Sequence, residues 1–382
     1  MMKIYKKAIL PNSFEASGIA SGIKKSGKLD LALFYTWSPA IVSCKFTKNT
    51  ILAAPIKLNK SYLKKNKFFH AVIVNSGNAN CFTGKKGLKD AQDITRFAAD
   101  PLFCNKEDIL VASTGIIGRR LSVEKIKRAI PGLVAGMSWK NERGIDRAKK
   151  AIMTTDTFAK EISVKFRIGK ETVTVCGIAK GAGMIAPNMA TMLAFILTDA
   201  NITQRALDKA LDIAVEDSFN CITVDGCMST NDSVIVLAND AAGNDTIKPN
   251  KHFNLFTRAL NIVCLELAKM IVKDAEGATK FIRIRVDKAK GFAQARKVAL
   301  CIANSNLLKC AVYAENPNFG RIAAAVGASG VDVKEEDLKI KVSLLNKKEI
   351  YICVSINRGK YCATVYTSDL TPEYIKINAE YS

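Results

Sequence analysis

Apolar positions alternate with polar ones over several short stretches of this chain, and elsewhere they recur every three to four residues. Residues 31–36 and 41–46 read as strands. Residues 71–74 form a short, fully apolar strand that runs into Asn75-Ser76-Gly77-Asn78, a loop of turn-forming residues. Residues 109–112 form another, running into Ser113-Thr114-Gly115. The spacing over 123–130 is helical, with Ser122 as N-cap and Pro131 as stop. Residues 162–176 alternate, and Gly169 marks a hairpin turn within them.

Further along, 193–197 is a buried strand, 204–217 an amphipathic helix and 233–237 a strand. Residues 253–273 form a long helix with an apolar stripe, ending at Asp274-Ala275-Glu276-Gly277. A half-exposed strand over 281–286, a helix over 292–304 and strands near 340–344, 350–356 and 361–366 follow. Strands and helices interleave, but hairpin-like pairs are frequent. That pattern favours a layered α/β sandwich over a doubly wound parallel sheet. No linker, repeat or low-complexity tract divides the chain.

Composition narrows the functional classes. At 382 residues and 48% hydrophobic, the chain can bury a substantial core. No apolar run approaches the roughly 20 residues that span a bilayer. The basic start, Met1-Met2-Lys3-Ile4-Tyr5-Lys6-Lys7, lacks a following apolar signal core, so the expected location is cytoplasmic. The 11 cysteines include no Cys-x-x-Cys pair, and Cys44, Cys176, Cys264, Cys301 and Cys353 lie in apolar runs. Buried, reduced thiols in a reducing compartment are expected. The 2 histidines, His70 and His252, lie in no motif, which argues against a Ser-His-Asp triad and against a metal site. The net charge of +22 raises the question of nucleic acid. The excess is mostly Lys scattered end to end, with little aromatic interleaving, so it gives thin support for a base-stacking platform. A positive field would still favour capture of small carboxylates.

The richest chemistry lies in Lys180-Gly181-Ala182-Gly183-Met184-Ile185-Ala186-Pro187-Asn188-Met189-Ala190-Thr191. Gly and Pro permit or impose the unusual backbone that a strained peptide needs. If the Ala190–Thr191 bond breaks, the Thr191 hydroxyl gains the freed α-amine as its base. That amine has an unperturbed pKa of roughly 7.7–8, and Thr paired with an N-terminal amine is an established activated nucleophile.

This segment resembles the self-cleavage motif of the ArgJ-type ornithine acetyltransferases, the glutamate N-acetyltransferases of arginine biosynthesis. Asn75-Ser76-Gly77-Asn78-Ala79-Asn80, Ser113-Thr114-Gly115-Ile116-Ile117-Gly118, Thr154-Thr155-Asp156-Thr157, Ser229-Thr230-Asn231-Asp232 and Asp274-Ala275-Glu276-Gly277-Ala278 also look like family signatures. So do Ser218-Phe219-Asn220 with Thr223-Val224-Asp225-Gly226, Asn316-Pro317-Asn318-Phe319-Gly320-Arg321 and the tail Ile377-Asn378-Ala379-Glu380-Tyr381. They fall in the family's order and cover nearly the whole chain.

The resemblance implies an αββα-type sandwich shared with self-processing hydrolases, cut into an α chain, 1–190, and a β chain, 191–382, interlocked in one body. It implies Thr191 as the nucleophile that carries acetyl from N2-acetyl-L-ornithine to L-glutamate, with Thr114 and Gly115 as oxyanion donors. Lys180, Thr154, Glu276 and Asn378 would contact the substrate, with Thr155 the nearest competitor of Thr154 and Asp274 and Lys280 as neighbours of Glu276. Read locally, Thr154 suits a helix cap better, and Glu276 a solvated loop acid. The family's last substrate Ser or Thr would fall one position past Ser382, and two alternatives stand open: Ser382 takes over that contact, or the contact is missing. No metal or organic cofactor is expected, acetyl-CoA remains open as a second donor, and the assembly implied is two α and two β chains. Cys227 and Asn316 stand where the family usually carries Asp, and Phe319 where Trp is common. The rival readings are an N-terminal-nucleophile amidohydrolase or aminopeptidase on a related fold, and a basic non-enzymatic binding protein.

Overall fold

The computed structural model describes residues 2–137, 142–186, 192–249 and 251–380, with the Lys251 side chain set aside. The chain divides into two compact units, each described here by itself. The first takes Met1–Gly181, Thr191–Asp217 and Ser229–Leu267, and the second takes Ala182–Ala190, Ser218–Met228 and Ala268–Ser382. Each unit therefore draws on both sides of position 190.

In chain order the first unit holds β1 (Lys3–Tyr5), β2 (Phe14–Ile19), β3 (Leu31–Phe46), α1 (Ala54–Lys65), β4 (Phe69–Asn78) and α2 (Gly84–Ala99). There follow β5 (Ile109–Ile116), α3 (Val123–Ala135), α4 (Arg143–Ala151), β6 (Lys160–Ile168), β7 (Glu171–Lys180), β8 (Leu193–Thr198), α5 (Gln204–Glu216) and β9 (Ser233–Ala238). Helix α6 (Lys251–Lys273) belongs to this unit as far as Leu267.

The strand order is β1-β6-β7-β8-β9-β3-β4-β5, with β2 also paired to β3. The sheet folds over on itself through β3. The first part of β3, Leu31 to Tyr35, pairs with β2 and β4, whereas Ile41 to Phe46 pairs with β9. Between them lies Pro39, which has no N–H to give to a ladder and sits where the pairing is interrupted. The two halves stack, with the Phe34 ring 5.0 Å from the Phe195 ring in one continuous apolar core.

Helices cover both outer faces. α1 and α2 pack on β5, and α3 and α4 on β2. On the opposite face α5 packs on β3, and α6 lies so close to β7 that a Cβ on Gly177 would fall 2.3 Å from Val263 Cγ1. This is the αββα sandwich.

The second unit continues with β10 (Phe281–Ala289), α7 (Phe292–Ala303), α8 (Asn306–Tyr313), α9 (Phe319–Ala328), β11 (Lys339–Val342), β12 (Glu349–Ser355), β13 (Tyr361–Ser368) and α10 (Pro372–Glu380). Its sheet runs β11-β12-β10-β13, with β10 parallel to β12 and antiparallel to β13. Helix α7 packs on β10 and β13, burying Val298 and Ile302 against Ile282 and Val365.

Three expectations need correction. Pro131 does not stop α3, which continues to Ala135, and Ser122 makes no side-chain cap. The helix gives up one backbone bond at the proline, and buried Leu133 draws the last turn into the core. The loop expected after 71–74 is instead paired strand, because β4 and β5 stay in parallel register as far as Gly77 and Gly115. None of the 11 cysteines forms a disulfide, but Cys44, Cys301 and Cys353 are only half-buried, whereas Cys176 and Cys264 are fully buried. No helix among the described residues is long and apolar enough to cross a membrane.

Phe195→Ala would open a cavity between the stacked halves. It is expected to lower stability by about 3–5 kcal/mol, read as a lower midpoint in chemical denaturation.

Candidate active site

The paired ends of β4 and β5 bring Ser76 opposite Thr114 and Gly77 opposite Gly115. Gly115 has φ +130°, and a Cβ there would lie 2.4 Å from the Gly77 carbonyl carbon and 2.6 Å from Asn78 N. Only glycine satisfies both constraints. Asn231, just ahead of β9, fastens this corner by donating from Nδ2 to Ala79 O at 2.6 Å and Ser113 O at 2.7 Å. Thr114 is buried, and its Oγ1 accepts from Lys180 Nζ at 3.4 Å. The structure thus brings together Thr114, Gly115 and Lys180 in the first unit.

Behind them sits Asp156, whose side chain is fully buried. Its Oδ1 accepts from Lys160 Nζ at 2.6 Å and from Gly181 N at 2.7 Å, and its Oδ2 accepts from Thr154 N at 2.9 Å. Lys180 Nζ stands 3.9 Å from Oδ2. Burial works against the charge on Asp156. The Lys180 and Lys160 ammonium groups and the Gly181 N–H outweigh it and hold the carboxyl well below the usual carboxylate range. Thr154 accordingly caps no helix; its amide is held in a tight turn by Asp156 ahead of β6. Thr155 beside it is half-buried.

Lys24 is a second feature that the sequence did not single out. Its Nζ donates to Leu29 O at 2.8 Å and Met153 O at 2.7 Å, tying the loop before β3 to the residue preceding Thr154. Burial pushes the Lys24 ammonium down to about 8; Asp30 and Asp156 pull it back up, and Lys180 repels it. Gly77 leaves the room this side chain needs, since a Cβ there would lie 3.1 Å from Lys24 Cγ.

The second unit carries its own cluster. The Glu276 carboxylate lies against Gly183, where a Cβ would fall 2.2 Å from Oε2, and Glu276 N donates to Ala182 O at 3.0 Å. Asn378, on α10, donates from Nδ2 to Glu276 Oε2 at 2.9 Å. One turn earlier on α10, Tyr374 donates its hydroxyl to Asp225 Oδ2 at 3.2 Å. Asp225 also accepts from Met184 N at 2.6 Å, Ile185 N at 2.9 Å and Cys227 N at 3.0 Å, so one carboxylate clasps the approach to the Gly-rich segment. Cys227 carries an exposed thiol, and its amide joins that clasp. Burial and the Asp225 charge push the Cys227 thiol up.

One sequence expectation fails here. The Lys280 ammonium is engaged elsewhere than at Glu276: its Nζ pairs with Glu315 Oε1 at 2.6 Å and with Leu345 O. The tail that carries Asn378 forms helix α10, seated so closely that a Cβ on Gly277 would fall 2.5 Å from Tyr374 N. Asp274 is buried. Ala190, Thr191 and Ser382 lie outside the described residues. Among the described residues, no group of three His, Cys, Asp or Glu side chains comes together as a metal site.

A family model described as "ArgJ family" matches residues 15–382. The chain belongs to the ArgJ family. Among its relatives, the arginine biosynthesis bifunctional protein ArgJ of Caldanaerobacter subterraneus subsp. tengcongensis is 45% identical, over 98% of this chain and 98% of its own length. The glutamate N-acetyltransferase of Methanocaldococcus jannaschii is 42% identical, over 97% of each. Among solved structures, ornithine acetyltransferase from Mycobacterium tuberculosis, complexed with ornithine, is 35% identical with a TM-score of 0.46, over 49% of this chain and 98% of that one.

In this ArgJ-family chain, Asp156 offers a test of the buried charges. Its carboxyl sits below the unfolded value of about 3.9, so its stabilising contribution is complete above that pH and fades as pH falls through the folded value. Asp156→Ala leaves the buried Lys160 ammonium without the carboxylate that faces it. It is expected to cost about 3–5 kcal/mol near pH 7, with the gap from wild type narrowing below about pH 4 in denaturation measured across pH.

Proposed function

We propose that this chain is a glutamate N-acetyltransferase that cuts itself between Ala190 and Thr191 and then transfers acetyl from N2-acetyl-L-ornithine to L-glutamate. The observation that carries the reading is family membership across residues 15–382, with relatives named arginine biosynthesis bifunctional protein ArgJ and glutamate N-acetyltransferase. The constrained Thr114–Gly115 corner beside Lys180 supports it.

In this reading the Thr191 hydroxyl attacks the acetyl carbonyl and its proton passes to the freed α-amine. The Thr114 hydroxyl and the Gly115 amide receive the developing oxyanion, a contact worth roughly 2.7–4 kcal/mol per donor in comparable sites. Ornithine leaves with that proton. The α-amine of glutamate then attacks the acetyl ester, and the cycle closes as a ping-pong reaction. Lys180 is the proposed partner of the substrate α-carboxylate. Thr154 is proposed as a further polar contact, and Glu276 with Asn378 as partners of a substrate ammonium. Acetyl-CoA is proposed only as an alternative acetyl donor, and the processed protein as an assembly of two α and two β chains.

The decisive experiment compares intact masses of wild type and Thr191→Ala. Wild type is expected as two fragments split at Ala190–Thr191, and the variant as one uncut chain whose transfer to glutamate is lower by several orders of magnitude. An uncut wild type, or transfer retained by Thr191→Ala, would overturn the reading. Acetyl release that needs no amine acceptor would favour a hydrolase instead. Lys180→Met is expected to raise KM for acetylornithine by roughly ten- to a hundredfold, in line with a lost charged hydrogen bond. Transfer by the processed wild type is expected to rise with pH and level off above about 8, as the α-amine loses its proton.

A further inference from the structure

Met192 and Asp232 stand side by side, each immediately ahead of one of two parallel strands, with Leu193 of β8 opposite Ser233 of β9. The pair is held from both sides. Met192 N donates to Asp232 Oδ1 at 3.1 Å, and Ser233 N donates to Met192 O at 3.2 Å. Asp232 is itself anchored through its carbonyl, which accepts from Thr47 N at 3.0 Å. Its exposure is 0%, and its second oxygen, Oδ2, is buried with no hydrogen-bond partner among the described residues.

A carboxylate left in this state would be costly, because a buried acceptor without a donor loses its water and gains nothing in return. Burial pushes the Asp232 carboxyl well up. The Met192 amide, the nearby Ser229 and Thr47 hydroxyls and the field of Lys180 only partly offset it. The nitrogen bonded to Oδ1 belongs to the peptide bond that joins Thr191 to Met192. An acid group is thus tethered one residue from the proposed scissile bond, with one oxygen uncommitted. Within the Ser-Thr-Asn-Asp motif the two polar side chains divide the work: Asn231 holds the Thr114 corner, and Asp232 holds the Met192 amide.

We propose that Asp232 is the proton carrier of self-cleavage at Ala190–Thr191, an inference that rests on the self-processing reading. As Thr191 Oγ bonds to the Ala190 carbonyl carbon, one oxygen of the Asp232 carboxyl takes the hydroxyl proton. The other gives its own proton to the Thr191 nitrogen as the carbon–nitrogen bond breaks. The products of this step are an ester and a free α-amine, with Asp232 restored to its starting form. Water then adds to the ester carbonyl, releasing the Ala190 carboxyl group and the Thr191 hydroxyl.

The test is the full-length Asp232→Asn chain, whose amide can keep the bond from Met192 N but has no acid proton to give. Intact mass followed over time after synthesis is expected to show cleavage at least about a hundredfold slower than wild type, the usual scale of acid–base help, with a thermal transition close to that of Thr191→Ala. A folded Asp232→Asn chain cut at the wild-type rate would overturn the proposal while leaving the self-processing reading intact. An uncut wild type would count against self-processing itself. A second measurement does not depend on that variant folding. In uncut Thr191→Ala protein, carbon-13 spectra of the aspartate carboxyls are expected to show one still protonated at pH 7. Finding every aspartate ionised there would overturn the proposal.

Discussion

The first unit is organised around one buried carboxylate. Asp156 accepts from the Lys160 ammonium and from the amides of Gly181 and Thr154, with the Lys180 ammonium close by. Removing such charges from water is expensive, and a buried ion pair is weak evidence for net stability. What the arrangement supplies is position. The carboxylate gathers the end of β7, the turn before β6 and the first residue of the Gly-rich segment onto one point. Lys180 is aimed at Thr114 only because its own neighbour, Gly181, is pinned by the same group that faces its charge.

Sheet register does the rest. β7 pairs with β8 so that Lys180 faces Leu193, and β8 pairs with β9 so that Leu193 faces Ser233. Lys180 and Ser233 are therefore brought to the same end of the sheet by backbone geometry rather than by loop conformation. Asn231 extends the row to β5 by bonding Ser113 O and Ala79 O. Groups placed on strand ends hold their spacing better than groups placed on loops, which is the requirement of chemistry sensitive to fractions of an ångström.

Much of this was legible in the sequence because the period of two is a strong signal. The β6–β7 hairpin turns at Gly169, which has φ +61°, and β8, α5, β9 and α7 all occur within a few residues of their expected bounds. What escaped was of three kinds. Helix α2 opens with Gly84-Lys85-Lys86-Gly87 and has no side-chain cap, so local propensity argues against a helix that buried Ala91, Ile94 and Ala98 enforce from outside. β3 reads as two strands because its bend interrupts the alternation, although the backbone is continuous through Leu31–Phe46. The site residues Lys24, Asp156, Lys160, Asp225 and Asp232 escaped because a polar residue in a Lys-rich chain gives no sign of its burial. Asp156 lay inside a recognised motif, yet the hydroxyls beside it drew the chemical reading. The residues legible as chemistry were those with an unusual neighbourhood in sequence; those that hold them in place have an unusual neighbourhood only in space.

The facing glycines of β4 and β5 have a consequence for how this site can change over evolutionary time. At Gly115 a side chain is excluded by the backbone of Gly77 and Asn78, and Gly77 in turn borders the Lys24 stem. At Gly115 no single exchange can alter the wall, because the obstacle is main chain and not a neighbouring side chain that could shrink in compensation; at Gly77 the nearest atoms are the Lys24 and Ile23 side chains, and the exclusion rests on its φ of +96°. Variation around this corner is thus channelled toward side chains mounted on separate elements, while the main-chain wall at Gly115 stays where the strand register puts it.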